Sequence, residues 1–391
     1  MAIHLDHNAT TPLRPEARAA WLEALDAGLG NPSSLHTSGR RARQCIDEAR
    51  ERVAAALGVH EEEVLFTGGA TEAIHLALAG HLGTLGPGAA FASAPTEHAA
   101  VRGAAERLVA RGHPHRSLLI DREGELVPDT LERAAAAGGL ALVALSAGNH
   151  EIGTAHDLPR AREVLGRGPG RPRLFVDGVQ ALGRRPLELE CADMAAFSAH
   201  KLGGPLGVGV LFVRRGVPLG PILAGGGQER GLRPGTENAA ALAAAAVAIE
   251  LAVAERVETA ARMAALTGSM WRSLAARVPG IELAGPPLER ERRLPNTLCV
   301  LAPAGAADGR MLVARLDLEG LEVSAGSACA SGSLEPSPVL LALGYEPDRA
   351  RAALRLSVGA TTTAEESQRA VDILVSVLVP SRARCSSDGP L

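Results

Sequence analysis

Aromatic residues are almost missing from this chain: five Phe, two Trp and one Tyr, 2% of 391 residues. Hydrophobic residues still make up 46%. The core must therefore be packed with aliphatic side chains and alanine. Cysteines are few: Cys45, Cys191, Cys299, Cys329 and Cys385 are scattered and odd in number. No pair has the short spacing of a zinc site or redox motif, which excludes a metal cluster or disulfide framework and suits a reducing compartment. Long apolar runs are also lacking. The longest, AAALAAAAVAI at 239–249, is shorter than a membrane span and ends at Glu250. The N-terminus, MAIHLDHNATTPLRPE, has charges where a signal peptide needs an apolar core. A soluble, cytoplasmic protein with no membrane partner is expected. Neither sign of charge dominates: 40 basic and 44 acidic residues give a net −4 without long blocks. That argues against nucleic acid or an anionic membrane as principal partner. No internal repeat is present.

What is present is alternation. EVLF (63–66), ALVALS (141–146), RLFVD (173–177), MAAFS (194–198) and GVLFV (209–213) read as buried strands, each too short for a core helix and bounded by Gly, Pro or polar residues. AAFAS (89–93) is a further candidate. Helical patterns such as EAIHLALAGHL and VRGAAERLVARG lie between them. Such alternation predicts an α/β fold with a mainly parallel sheet and helices on both faces. GRGPGRP (166–172) reads as a surface turn. The alanine-rich stretch from about 237 to 265 reads as one long helix leading out of the first domain. PNTLCVLAP, RLSVGATTT and a final helix near 364–379 follow. The tail 381–391, SRARCSSDGPL, is expected to be disordered.

In open α/β sheets, ligands gather beyond the carboxyl ends of the strands. EVLF runs into TGGATEA, putting Gly68, Gly69, Ala70 and Thr71 at a helix start, where N–H groups and the helix dipole attract phosphate. An ordinary capped helix start looks the same. MAAFS runs into AHKLGGPLGVG, setting Ser198, His200 and Lys201 past a strand. Burial there lowers a lysine's pKa and frees its amine for Schiff-base chemistry, whereas a surface lysine merely snorkels. Asp177 ends a third strand, with Gln180 one turn on; a pyridinium nitrogen or a structural arginine could balance its charge. Asn149 and His98 follow two further strands, and helix capping explains such residues equally well. Together, a lysine, a strand-terminal carboxylate and a phosphate-binding helix start are the parts that hold pyridoxal phosphate.

The chain resembles the cysteine desulfurases, the NifS/IscS-like group of the class V, fold-type-I pyridoxal phosphate enzymes. The resemblance runs from LDHNATTP to RLSVGATTT. It rests on GNPSSLHTSGRRAR, FTGGATEA, TEHAAV, GNHEIG, VDGVQ, FSAHKLGGPLGVG, GGGQERGLRPGTEN and SAGSACASGSLEPS in order. It implies a large cofactor-binding domain over 15–261 and a smaller α+β domain from 1–14 and 262–380. In it, Lys201 carries pyridoxal phosphate covalently and moves the substrate Cα proton. His98 stacks on the ring and helps move protons, and Asp177 pairs with the ring nitrogen. Gln180 and Asn149 contact the phenolic side. Ala70, Thr71, Ser198 and His200 hold the phosphate, and Thr236 reaches the phosphate of a neighbouring subunit, implying a homodimer. Arg355 clamps the substrate carboxylate with help from Asn31. Cys329, in a loop freed by Gly326 and Gly332, takes sulfur from L-cysteine as a persulfide and leaves alanine. The sulfur then passes to an acceptor protein such as an iron–sulfur scaffold or a thiolation carrier.

Three positions depart from the pattern: His150 where a second Asn is frequent, Leu206 after GP where a basic residue is common, and Ala360 where an arginine often stands. None is expected to touch the chemical core. Selenocysteine lyase, another class V activity and a non-catalytic sulfur-transfer scaffold are the alternatives. A metal site at His4 and His7 is disfavoured, because their spacing fits neither a helix face nor a strand face.

Overall fold

The computed structural model describes residues 2–168, 170–326 and 335–379. Cys329, Gly332, Cys385 and the tail 381–391 lie outside these described residues. The strands are β1 (Ile3–His4), β2 (Val64–Thr67), β3 (Ala90–Ser93), β4 (His115–Ser117), β5 (Leu140–Ser146), β6 (Arg173–Asp177), β7 (Met194–Ser198), β8 (Gly209–Val213), β9 (Glu282–Ala284), β10 (Thr297–Leu301), β11 (Leu321–Glu322), β12 (Ser324–Ala325) and β13 (Ala353–Ser357). The helices are α1 (Pro15–Asp26), α2 (Thr37–Leu57), α3 (Ala70–Leu85), α4 (Ala99–Ala110), α5 (Thr130–Ala136), α6 (Leu158–Arg167), α7 (Ala239–Ala254), α8 (Arg256–Arg277), α9 (Gly309–Leu318), α10 (Pro338–Ala342), α11 (Pro347–Arg351) and α12 (Ala364–Leu378).

Seven strands form the main sheet in the order β2-β8-β7-β6-β5-β3-β4. All neighbours are parallel except those of β8, which runs antiparallel to both β7 and β2. The link from β7 to β8 is too short to hold a crossover helix, so a reversal is the geometry open to it. Both faces of the sheet are buried. Val143, Leu145, Val176 and Phe197 meet α2 and α7 on one side, while Leu142, Phe175, Met194 and Leu211 meet α3 and α4 on the other. This explains why the strands read as continuous apolar runs rather than as alternating ones.

A second sheet, β12-β13-β10-β9, is antiparallel and carries its own apolar layer. Leu298, Val300, Leu354 and Leu356 pack there with Met263 and Met270 of α8, Leu312 of α9 and Leu374 of α12. β1 pairs in parallel with β11, and Asp6 bridges to Ser357, so the N-terminal segment is threaded beside the second sheet.

The stretch read as one helix over 237–265 is two. α7 ends at Ala254, α8 begins at Arg256, and Glu255 between them pairs with Arg14 at 2.8 Å. The break separates a helix buried nearly all round, with alanines against α1 and α2, from one that packs on the second sheet. No helix among the described residues is long and apolar enough to cross a membrane.

Candidate active site

Strand ends and helix starts converge on one cleft of about 820 Å³. β2 leads through Gly68 and Gly69 into α3, whose first residues Ala70 and Thr71 line the cavity. Gly69 has φ +154° and α3 has no side-chain cap, so its first N–H groups stay open to a ligand. Gly209 backs this turn. A Cβ there would lie 2.4 Å from the Gly69 carbonyl carbon and 2.5 Å from Thr67 Oγ1. Ser198 ends β7, and the tight turn after it presents His200 and Lys201 to the same space. His98, which caps α4, closes another wall, and Asp177, Gln180 and Arg355 complete it.

Lys201 Nζ donates to the carbonyls of Asn8 (2.5 Å) and Ala9 (2.6 Å), which places the ammonium against the N-terminal segment. Lys201 is also the only lysine of the chain, a signal that motif reading passed over. His98 accepts the Ala100 N–H on Nδ1 at 3.1 Å, so in the neutral ring the proton belongs on Nε2. Burial, then the charges of His150, Lys201, Arg102 and Arg355, press its pKa down to about 3. His200 Nδ1 lies 3.1 Å from Thr10 Oγ1, and burial followed by Lys201 lowers its pKa to about 4.

Asp177 is buried. It accepts the Val179 N–H at 3.1 Å, and among the described residues no lysine or arginine is ion-paired with it. Burial raises its pKa, against the opposing pull of that N–H, His150 and Lys201. Behind it, Glu97 is fully buried and held well above the ordinary carboxylate range by burial and by Asp177. Burial pushes both carboxyls up, Glu97 the further, and Asp177 is the one of the two that lines the cleft.

These residues fit pyridoxal phosphate. A buried carboxylate with no ion pair among the described residues suits a ring cation, and the uncapped start of α3 suits an anion. Ser146 Oγ, in the cleft wall next to Asp177, has no hydrogen-bond partner among the described residues.

Three expected residues do not line the cleft. Asn149 donates to Thr96 O in the neighbouring loop before α4 and accepts the N–H groups of Glu151 and Ile152 in its own. Asn31 is exposed and caps a turn through Ser33 N–H. Thr236 is exposed in the segment before α7. Gly326 is tied to Ala353 O by its N–H at 3.3 Å.

Conversely, two departures expected to lie off the chemical core line it: His150 and Leu206. The His150 ring meets His98 edge-on with centroids 4.9 Å apart, and its Nε2 lies 3.4 Å from Glu151. Ala360 lines a separate cavity of about 450 Å³. His4 and His7 also meet edge-on at 4.7 Å, brought together by a bend that their spacing did not suggest. Arg355 is 1% exposed and already occupied. It pairs with Asp6 at 2.8 Å and donates to Ser324 Oγ and His150 O, while its buried Nε has no acceptor among the described residues.

The sequence matches the model of the aminotransferase class-V family over residues 3–370. A cysteine desulfurase IscS of Dictyoglomus turgidum is 36% identical over 379 residues, covering 96% of this chain and 94% of that one. A cysteine desulfurase of Cereibacter sphaeroides is 38% identical, with 97% of each chain covered. The solved structure of a NifS-like protein superposes with a TM-score of 0.89 at 33% identity, covering 97% of this chain and 99% of that one. The chain therefore belongs to the class-V aminotransferase family of pyridoxal phosphate enzymes, in its cysteine desulfurase branch.

Proposed function

We propose that this chain removes the sulfur of L-cysteine, leaving L-alanine and a persulfide on Cys329. The observation that carries this reading is the convergence of Lys201, a buried Asp177, the uncapped start of α3 and a buried Arg355 on one cleft. When bound, pyridoxal phosphate supplies an electron sink beside the substrate Cα. Asp177 favours a protonated ring nitrogen, and Ala70, Thr71, Ser198 and His200 hold the phosphate. Arg355 offers its guanidinium to the substrate carboxylate, and Lys201 Nζ takes the Cα proton. His98, neutral with its proton on Nε2, donates without first needing to be charged. The Cys329 thiolate attacks the substrate sulfur; the S–S bond forms as the C–S bond breaks, Cβ takes up a proton in place of the sulfur, and Lys201 Nζ returns the proton to Cα. Among the described cysteines, burial raises the pKa of Cys45, Cys191 and Cys299, the last to about 12, which favours a nucleophile elsewhere.

The finer assignments belong to the same reading. Residues 15–261 act as the cofactor-binding domain, with 1–14 and 262–380 as the small one, a division supported by the separate apolar layers of the two sheets. A homodimer in which Thr236 completes the partner's phosphate site fits its exposure and that of Leu206, Ile222 and Leu223. Asn149 at the phenolic side of the ring and Asn31 beside Arg355 stay part of the same reading. A cytoplasmic sulfur-acceptor protein consumes the persulfide, as in iron–sulfur assembly or thiolation.

The test is mass spectrometry of the protein after exposure to cysteine. One extra sulfur on the Cys329 peptide, and none in Cys329→Ala despite an unchanged visible cofactor band, is expected. Full alanine and sulfide release by Cys329→Ala overturns the role of the thiol. The same assay with selenocysteine separates a lyase selective for selenium.

A further inference from the structure

Arg184 is 4% exposed and one turn beyond Gln180, and its partners among the described residues are neutral. Nη1 donates to Gln180 O at 3.2 Å and to Gln180 Oε1 in a short contact. Nη2 donates to His7 O at 3.4 Å and to Lys201 O at 3.2 Å. No aspartate or glutamate among the described residues is ion-paired with it. Burial, then the nearby Arg355, lowers its pKa to about 10, so it remains a cation. A buried cation with only neutral acceptors leaves positive charge to be balanced by something not supplied by the described chain.

The contact with Gln180 has a directional consequence. A guanidinium can only donate, so the amide must turn Oε1 toward it and present Nε2 as its other end. Nε2 gives one N–H to Asn8 O at 3.0 Å. The second N–H has no acceptor among the described residues, and Gln180 lines the cleft. We infer that Arg184 is a positioning residue for the cofactor: it locks the Gln180 amide as a donor and backs it with charge, so that the cleft selects an ionised phenolic oxygen on the ring. The inference rests on the cofactor reading above. The other charged and titratable groups around this point are Lys201, Arg355, Asp177, His7, His98 and His150.

The experiment follows the visible band of bound pyridoxal phosphate with pH in the purified holoprotein, beside its thermal midpoint. Positive charge and a donor at the phenolic side favour the deprotonated chromophore. Arg184→Met is therefore expected to raise the titration midpoint by about one pH unit, with Arg184→Lys moving it less. Gln180→Glu, which gives Arg184 a carboxylate and removes the donor, is expected to raise it comparably. The double variant Arg184→Met with Gln180→Met is expected to shift it by less than the sum of the two single changes. A lower thermal midpoint with an unmoved titration midpoint in Arg184→Met overturns the inference, because that is the behaviour of an arginine that merely staples loops. So do shifts that add in the double variant. If Arg184→Met does not fold, Gln180→Glu decides, and an unmoved midpoint there overturns it. A wild-type protein that takes up no pyridoxal phosphate overturns the cofactor reading and this inference together; a normal wild-type band with silent variants overturns the inference alone.

Discussion

At the scale of single residues, His98 illustrates how position changes chemistry. A free imidazole is half charged near pH 6.5, yet this one is held neutral down to about 3, chiefly by burial. Its tautomer is set by the α4 backbone through Ala100 N–H. The His150 ring at 4.9 Å adds to the effect. His150→Asn should raise the His98 pKa, by less than about one pH unit because burial remains; imidazole NMR titration would read it. An unchanged His98 would show that the ring contact carries no electrostatic weight. The cast of the site was legible from strand ends and glycine turns: Lys201, Asp177, Gln180, Ser198 and His200 follow strands in sequence as in space. His150, Asp6 and Arg184 were not legible, because their roles come from contacts with segments far along the chain. Asp6 reaches Arg355 and Arg184 reaches His7, pairings that no local spacing encodes.

At the scale of elements, the aromatic-poor composition decides how helices pack. Ala244 and Ala248 of α7 are fully buried beside Ala17 of α1, so the two backbones approach closely. Ala248→Leu should cost about 1–3 kcal/mol by overpacking, seen as a lower urea midpoint at unchanged slope. A neutral result would mean the interface holds space that the structure does not show. The turn into α3 makes a second case. Gly209→Ala would drive a methyl into the Gly69 backbone and displace the open N–H groups. Affinity for pyridoxal phosphate should fall by about tenfold or more, a loss of one charge-assisted contact. Affinity for pyridoxal, which lacks the phosphate, should hardly change. Equal losses for both would place the damage elsewhere. Strand and helix types were readable here because the strands are short, apolar and bounded by turn residues. The break at Glu255 was not, since helical propensity continues through it and the change of partner surface ends α7.

At the scale of the whole molecule, several histidines are buried in their neutral form. His7 and His98 fall to about 3, and His156 and His200 to about 4, with burial the first cause in each. A depressed histidine pKa means that the unfolded chain binds more protons below about pH 6.5. Their stabilising contribution is full above that value and is lost as pH falls toward 3–4. Asp177 and Glu97, whose pKa values are raised, act the other way. With His75, His81 and His115 also lowered by burial, seven imidazoles against these two raised carboxyls predict that the cofactor-free protein loses stability steadily from about pH 6.5 toward about pH 4. Urea midpoints across that range test it, and a flat profile would contradict the histidine burial.

The sequence by itself determined the α/β class, the placing of strands and helices, and the residues that meet at the strand ends, because periodicity and turn chemistry act over a few neighbours. The tertiary structure alone decided the reversal of β8, the break between α7 and α8, and the threading of the N-terminal segment against Lys201. It also set the charge balance around Asp177, Arg184 and Arg355. Those features depend on which distant surfaces exclude water together, and burial of that kind has no local signature.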